Sequence, residues 1–252
     1  MTDAQTDPLV HLLPTPADTG RPWLVWYADQ ERIELSGRVL SMWQAKTAGL
    51  LTDEIGERPH VHVAMSTHWR TVAWCCGTWL AGGLVRFSTS DGVSGVSPTA
   101  AVAPVGPDSA SVAFDARDLD PRAGVQVLVP RASLALRHPE ALEPLVLDGV
   151  ADLMALPDVF PPVPVEGHAP ALVSGGGGVA WTRRELVDSL PEHRALKARE
   201  TGTRAVMIEE GTPMAVLEVL AAWRHGLSAV MVDASAESAL RTAAARQEGA
   251  LP

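Results

Sequence analysis

Residues 60–65, HVHVAM, alternate polar and apolar side chains and read as a strand. Residues 69–81 carry helical spacing, Gly82 and Gly83 stop the helix, and residues 84–87 begin a second strand. A strand, a helix and a strand in such close succession predict a parallel pair joined by a right-handed crossover, and so an α/β protein. Residues 72–85 carry no charge. They are nevertheless fewer than the ~20 residues that a bilayer-spanning helix needs, and glycine interrupts them. They read as a buried helix running into a strand.

The flanking segments extend this pattern. Residues 23–28 and 32–35 flank Asp29-Gln30-Glu31 as the arms of a hairpin. Ser36 is placed to cap a helix in which Val39, Trp43, Lys46/Thr47, Leu50 and Glu54 recur at helical spacing before Gly56. Residues 88–112, rich in Gly, Pro and Ser, predict loops and short edge strands, while 125–129 reads as a strand and 140–155 as a helix with an early Pro144. Residues 157–170, PDVFPPVPVEGHAP, predict an extended joint crossing between two lobes, because proline disfavours helix and removes ladder donors. An N-terminal α/β lobe, 1–156, would precede that joint, and a second α/β lobe, 171–252, would follow it. The second lobe is expected to hold a helix over 182–199, a strand at 206–208, a helix over 214–224, a strand at 228–232 and a last helix near 236–246. No repeat of fixed period is present.

Residues 174–186, SGGGGVAWTRREL, hold the candidate site. The apolar run 171–173 enters a glycine tract, and Thr182 with Glu185 spells a capping box that opens a helix. A strand, a glycine loop and a helix N-terminus together can turn backbone N–H groups toward an anion. Ser174, Gly175, Gly176, Gly177, Gly178 and Thr182 are therefore the candidate phosphate-binding residues; the plainer reading of the tract is a turn before a helix. Hydroxyls and an ammonium group would supply directed donors and a point charge, whereas glycines supply only backbone that must be ordered on binding. Nucleotide binding is thus expected to be weak or absent. Losing one preorganised donor where charge develops typically costs ~2.7–4 kcal/mol in catalysis, and several are missing together.

This stretch resembles the signature loop of the adenylate-forming superfamily (acyl-CoA synthetases, luciferases and peptide-synthetase adenylation domains), which runs roughly SGTTGxPKGVxxSHxxL. Ser174, Gly175, Gly178 and Leu186 match, Gly176 and Gly177 replace the threonines, x-P-K-G is absent before Val179, and Arg183 stands where the family often has His. RPWLVWYADQERIELS with GRVLSMWQAKTAGLL resembles the family's opening hairpin and first long helix. HVHVAMSTHWRTVAWCCGTWLAGGLV is similar to the strand, helix and turn after it, and TPMAVLEVLAAWRHGLSAVMVD to the helix, glycine and strand that follow the loop. The resemblance implies layered α-β-α-β-type sheets with flanking helices, corresponding to a truncated N-terminal domain of adenylate-forming enzymes. The family's adenine- and Mg²⁺-holding segment, its ribose-binding Asp and its C-terminal domain with a catalytic Lys lie further along than the matched region, and nothing in this chain aligns with them. Lys46 and Lys197 are expected to be solvated residues on helices.

Other chemistries find little support. Thirty acidic against twenty basic residues leave a formal charge of −10, so phosphate backbones are repelled and nucleic acid is not an expected partner. MTDAQTDPLV has neither a basic nor an apolar signal region, which predicts no secretory signal, no membrane partner and a cytoplasmic location. Cys75 and Cys76 face apart on a helix and read as small buried hydrophobes. His60 and His62 share one strand face, but no third ligand is readable, so no metal site is expected. Gly92, Ser94 and Gly95 miss the G-x-S-x-G spacing and no His/Asp partner can be placed, so a hydrolase is not expected. Glu209-Glu210 read as a solvated turn. Trp74 and Trp79 read as core. Trp26 and Trp181 are candidates for exposed interface anchors, Trp181 alternatively filling the space of a nucleotide or stapling the helix start.

The expected function is that of a catalytically degenerate adenylate-forming-like protein serving as a binding or regulatory module, with no catalytic residues. No cofactor is expected beyond weak ATP or AMP binding. Expected partners are another protein or a second copy of the chain, and a small acyl or nucleotide ligand. The alternative is an ATP-dependent acid ligase completed by a separate chain.

Overall fold

The computed structural model describes residues 7–29, 31–88, 100–101, 104–174, 179–208, 211 and 214–251. Its strands are β1 (Pro22–Ala28), β2 (Glu31–Ser36), β3 (His60–Ala64), β4 (Leu84–Phe87), β5 (Ala100–Ala101), β6 (Ser109–Ala113), β7 (Val125–Leu128), β8 (Val146–Asp148), β9 (Pro170–Ser174), β10 (Val179–Thr182), β11 (Ala205–Met207) and β12 (Ser228–Val232). Its helices are α1 (Gly37–Ile55), α2 (Trp69–Leu80), α3 (Arg183–Asp188), α4 (His193–Glu200), α5 (Met214–Arg224) and α6 (Ser238–Glu248). Among the described residues the strands form an eight-stranded sheet in the order β5-β10-β9-β4-β3-β6-β7-β8 and a four-stranded sheet in the order β11-β12-β1-β2. The α/β class expected from the sequence is present. No helix of the described residues is long and apolar enough to cross a membrane.

Two compact units divide the chain: unit 1 is Met1–His11, Met42–Met65 and Ala73–Ser189, and unit 2 is Leu12–Ser41, Ser66–Val72 and Leu190–Pro252. This differs from a division at residues 157–170. That segment contains no helix, and it runs along unit 1. Val163 N–H donates to Leu80 O at 2.9 Å, and the side chains of Val163 and Val165 are buried against Gly82. Beyond it, β9 and β10 join the sheet of unit 1, because β9 pairs in parallel with β4.

Unit 1 contains the predicted crossover: β3 and β4 are parallel, with His60 opposite Leu84 and His62 opposite Arg86. Val61 and Val63 point into the core while His60, His62 and Ala64 are half-buried on the other face, the alternation that the sequence displays. Gly77 lets α1 and α2 approach closely, since a Cβ there would lie 2.5 Å from Thr47 Cβ and 2.8 Å from Gln44 O. In unit 2, Val25, Tyr27, Ala205, Met207, Val230 and Val232 form one core with Ala244 of α6.

Three local expectations fail for identifiable reasons. Residues 140–155 do not form a helix; β8 pairs with β7 and a 3-10 turn follows at Asp152–Ala155, so strand pairing overrides a weak helical pattern. The helix read over 182–199 is two helices, broken where Pro191 cannot donate an N–H. β6, placed in a region read as loops and edge strands, lies inside the sheet between β3 and β7.

Candidate functional site

Gly175, Gly176, Gly177 and Gly178 lie outside the described residues, as do Gly92, Ser94, Gly95, Glu209 and Glu210. Their flanks are described. β9 and β10 pair antiparallel, with Trp181 opposite Leu172 and Thr182 opposite Pro170. The glycine tract therefore joins two strands of a hairpin, and four residues of β10 separate it from α3. Ser174 ends β9, opposite Phe87 of β4, and is half-buried.

Thr182 caps α3 in the predicted box. Its Oγ1 accepts Glu185 N–H at 3.2 Å, and its own N–H donates to Glu185 Oε2 at 2.8 Å. The next two donors are also committed, Arg183 N–H to Ala169 O and Arg184 N–H to Gly167 O, each at 2.9 Å. These are the four N–H groups that a helix start ordinarily leaves unsatisfied. An anion at this end of α3 would have to displace the protein's own acceptors. The local arrangement expected at Thr182 is present, but its donors serve the fold.

Arg183, the departure from the family's His, is fully buried. Its guanidinium pairs with Asp7 and donates to Trp79 O at 3.2 Å and Gly83 O at 3.0 Å. Burial lowers its pKa and Asp7 opposes that shift. Trp181 and Trp26, candidates for exposed anchors, are instead buried at 3% and 1% exposure, Trp26 against the His68 ring at 4.5 Å. Lys46 also corrects the sequence reading. Its side chain is buried, with Nζ 2.9 Å from the Asp158 carboxylate and donating to Leu156 O. Lys197 is exposed as expected. Cys75 and Cys76 are buried free thiols, whose pKa values burial raises.

The structure assembles a second polar group that sequence reasoning did not join. His62 Nδ1 lies 2.9 Å from Ser111 Oγ and Nε2 lies 2.5 Å from Ser88 Oγ. The only sequence signal was the exposed polar alternation of β3; its partners lie 26 and 49 residues away. Among the described residues no three His, Cys, Asp or Glu side chains are placed to hold a metal ion.

The arrangement of sheets, hairpin and helices matches solved structures over nearly the whole chain. Acetoacetyl-CoA synthetase from Streptomyces lividans superposes with a TM-score of 0.66 and 16% identity, covering 97% of this chain and 41% of that one. An acyl-CoA synthetase from Brucella canis gives 0.63 and 17%, covering 96% and 48%. A nonribosomal peptide synthetase in its AMPPNP-bound form gives 0.60 and 17%, covering 99% and 26%.

The chain has the fold of the adenylate-forming enzymes.

It spans less than half the length of each of those solved chains. Among curated proteins, one from Mycobacterium tuberculosis that bears only a numbered family name is 38% identical over 86 residues, 32% of this chain and 33% of the relative. No protein-family model matches the chain. Within the adenylate-forming fold, the hairpin β9–β10 carries the loop that the sequence aligned with the superfamily's signature. The residues around it that the structure describes are held by bonds within unit 1.

Proposed function

We propose that this protein is a catalytically degenerate member of the adenylate-forming fold that acts as a binding or regulatory module, receiving a small acyl or nucleotide ligand or a partner protein at the surface beside the β9–β10 hairpin. One observation carries the reading. The tract from 175 to 178 contains no hydroxyl and no ammonium group, and the α3 N-terminus that follows it has its four leading N–H groups committed to Glu185, Ala169, Gly167 and Thr182. A polyphosphate there would meet no side-chain hydroxyl and no point charge from the tract.

ATP–pyrophosphate exchange with a panel of carboxylic acids tests the proposal. The expected result is no exchange above a protein-free control. Clear exchange, alone or on adding a chain that supplies further adenylate-forming segments, would replace this reading with that of an ATP-dependent acid ligase. A thermal-shift panel of ATP-Mg²⁺, AMP, acyl-adenylate mimics and CoA then defines the ligand class, since a ligand at one hundred times its Kd stabilises by about 2.7 kcal/mol.

A further inference from the structure

His62 belongs to a set of polar side chains on one face of the unit 1 sheet that the adenylate-forming reading does not use. Parallel register places Arg86 of β4 and Ser111 of β6 directly beside it, and register neighbours in a sheet share a face. Ser111 is fully buried, and its Oγ accepts the N–H of Asp120 at 2.8 Å. Ser88, the residue after β4, is exposed. The imidazole thus spans a fixed, buried hydroxyl on one side and an accessible hydroxyl on the other.

We propose that Ser88 is a nucleophile toward carboxylic esters or thioesters, with His62 as its general base and Ser111 as the residue that positions the imidazole. A hydroxyl becomes nucleophilic when a base lies within hydrogen-bond reach and a third group orients that base. Ser88 Oγ, His62 and Ser111 satisfy this at 2.5 and 2.9 Å. In the tautomer that this role requires, Nδ1–H donates to the lone pair of Ser111 Oγ not taken by Asp120 N–H, and Nε2 accepts from Ser88. The base must also be neutral near neutral pH. Burial, with the positive charges of Arg86 and Arg122, lowers the His62 pKa, while Asp120 acts in the opposite direction.

A shallow depression of about 10 Å³, room for little more than one water, lies on the same imidazole, lined by His60, Leu84, Arg86, Pro104 and Val105. An ester would therefore be met at an open surface beside the exposed Ser88. In the reaction, Ser88 Oγ attacks the carbonyl carbon while its proton passes to His62 Nε2. The bond to the leaving oxygen or sulfur breaks, and the leaving group takes that proton and departs as an alcohol or thiol. Water then attacks the acyl-serine ester, its proton again received by His62. The carboxylic acid leaves and the Ser88 hydroxyl is restored.

The full chain is treated with a fluorophosphonate probe, and the modified peptide is located by mass spectrometry. The expected result is a single adduct on Ser88, absent in Ser88→Ala and formed about 100-fold more slowly in His62→Gln, within the range that general-base catalysis contributes. The labelling rate should rise with a single ionisation lying below the ordinary imidazole value of 6.5. The groups facing that imidazole are His60 on its own strand, Arg86 on β4, and Asp120 and Arg122 on the segment before β7; His62→Gln alone removes the ionisation. Ser111→Ala should slow labelling about tenfold and alter the pH profile, and Ser111→Thr should restore both. No adduct on Ser88, or an adduct whose rate and pH profile are the same in a folded His62→Gln protein, overturns the proposal.

Discussion

Arg183 and Asp7 form an ion pair inside unit 1, with Arg183 wholly out of water and Asp7 8% exposed. The pair ties the start of α3 to the first described residue of the chain. The carbonyls of Trp79 and Gly83 take further guanidinium donors. Desolvating two charges is costly, and the geometry offsets that cost only while both partners are present.

Asp7→Ala should therefore destabilise the protein by about 3–5 kcal/mol, because it leaves Arg183 charged and buried without its carboxylate. Urea denaturation measures the loss. Replacing both residues by apolar ones should recover part of it. A single substitution that costs under about 1 kcal/mol would show that the pair is not buried in solution.

Thr182→Ala removes the capping acceptor of Glu185 N–H and should cost about 0.5–2 kcal/mol of stability. Because the hydroxyl is engaged in the cap, the change should leave any AMP-induced shift in Tm unaltered. A lost AMP response at unchanged stability would return Thr182 to the role of a phosphate ligand.

Lys46→Met keeps the aliphatic stem and removes the ammonium that meets Asp158 and Leu156 O. Leu156 O then loses a charged donor, and a loss of about 1.5–3 kcal/mol is expected in denaturant titration. A solvated Lys46, as the sequence suggested, would give no measurable change.

Acid should weaken the protein in two steps. Burial and, after it, Arg86 lower the pKa of His60 from 6.5, and burial with Arg86 and Arg122 does the same for His62. Between the folded value and 6.5 the unfolded chain binds more protons, so this stability is complete above 6.5 and is lost as pH falls through the folded values. Asp120 is held down to about 2 by its hydrogen bond from Arg122, so its contribution persists to about 3.8 and is lost as pH falls through 2. NMR titration of His60, His62 and Asp120 alongside urea midpoints checks both. A His62→Gln protein with the same slope below pH 6.5 would remove His62 from the first step.

Legibility followed distance along the chain. β3, α2 and β4 could be read because period, glycine stop and alternation are all contained within residues 60–87, and the Thr182 capping box because its two members are three residues apart. The helical spacing of residues 140–155 yields to the pairing of β8 with β7, which no local pattern announces. Pro191 marks the break between α3 and α4 in the sequence itself, since it lacks the N–H that a continuous helix needs.

The amino-acid sequence by itself determined the α/β class, the order of most elements and the absence of hydroxyl and ammonium groups from the glycine tract, since these depend on neighbours and on composition. Only the tertiary structure decided that Lys46 and Arg183 are buried, that the Arg183 and Arg184 N–H groups go to Ala169 O and Gly167 O, and that His62 lies between Ser88 and Ser111. Each of those facts depends on strand register or on a partner tens to hundreds of residues away. Packing brings such groups together, and the cost of leaving a buried charge or donor unpaired holds them there.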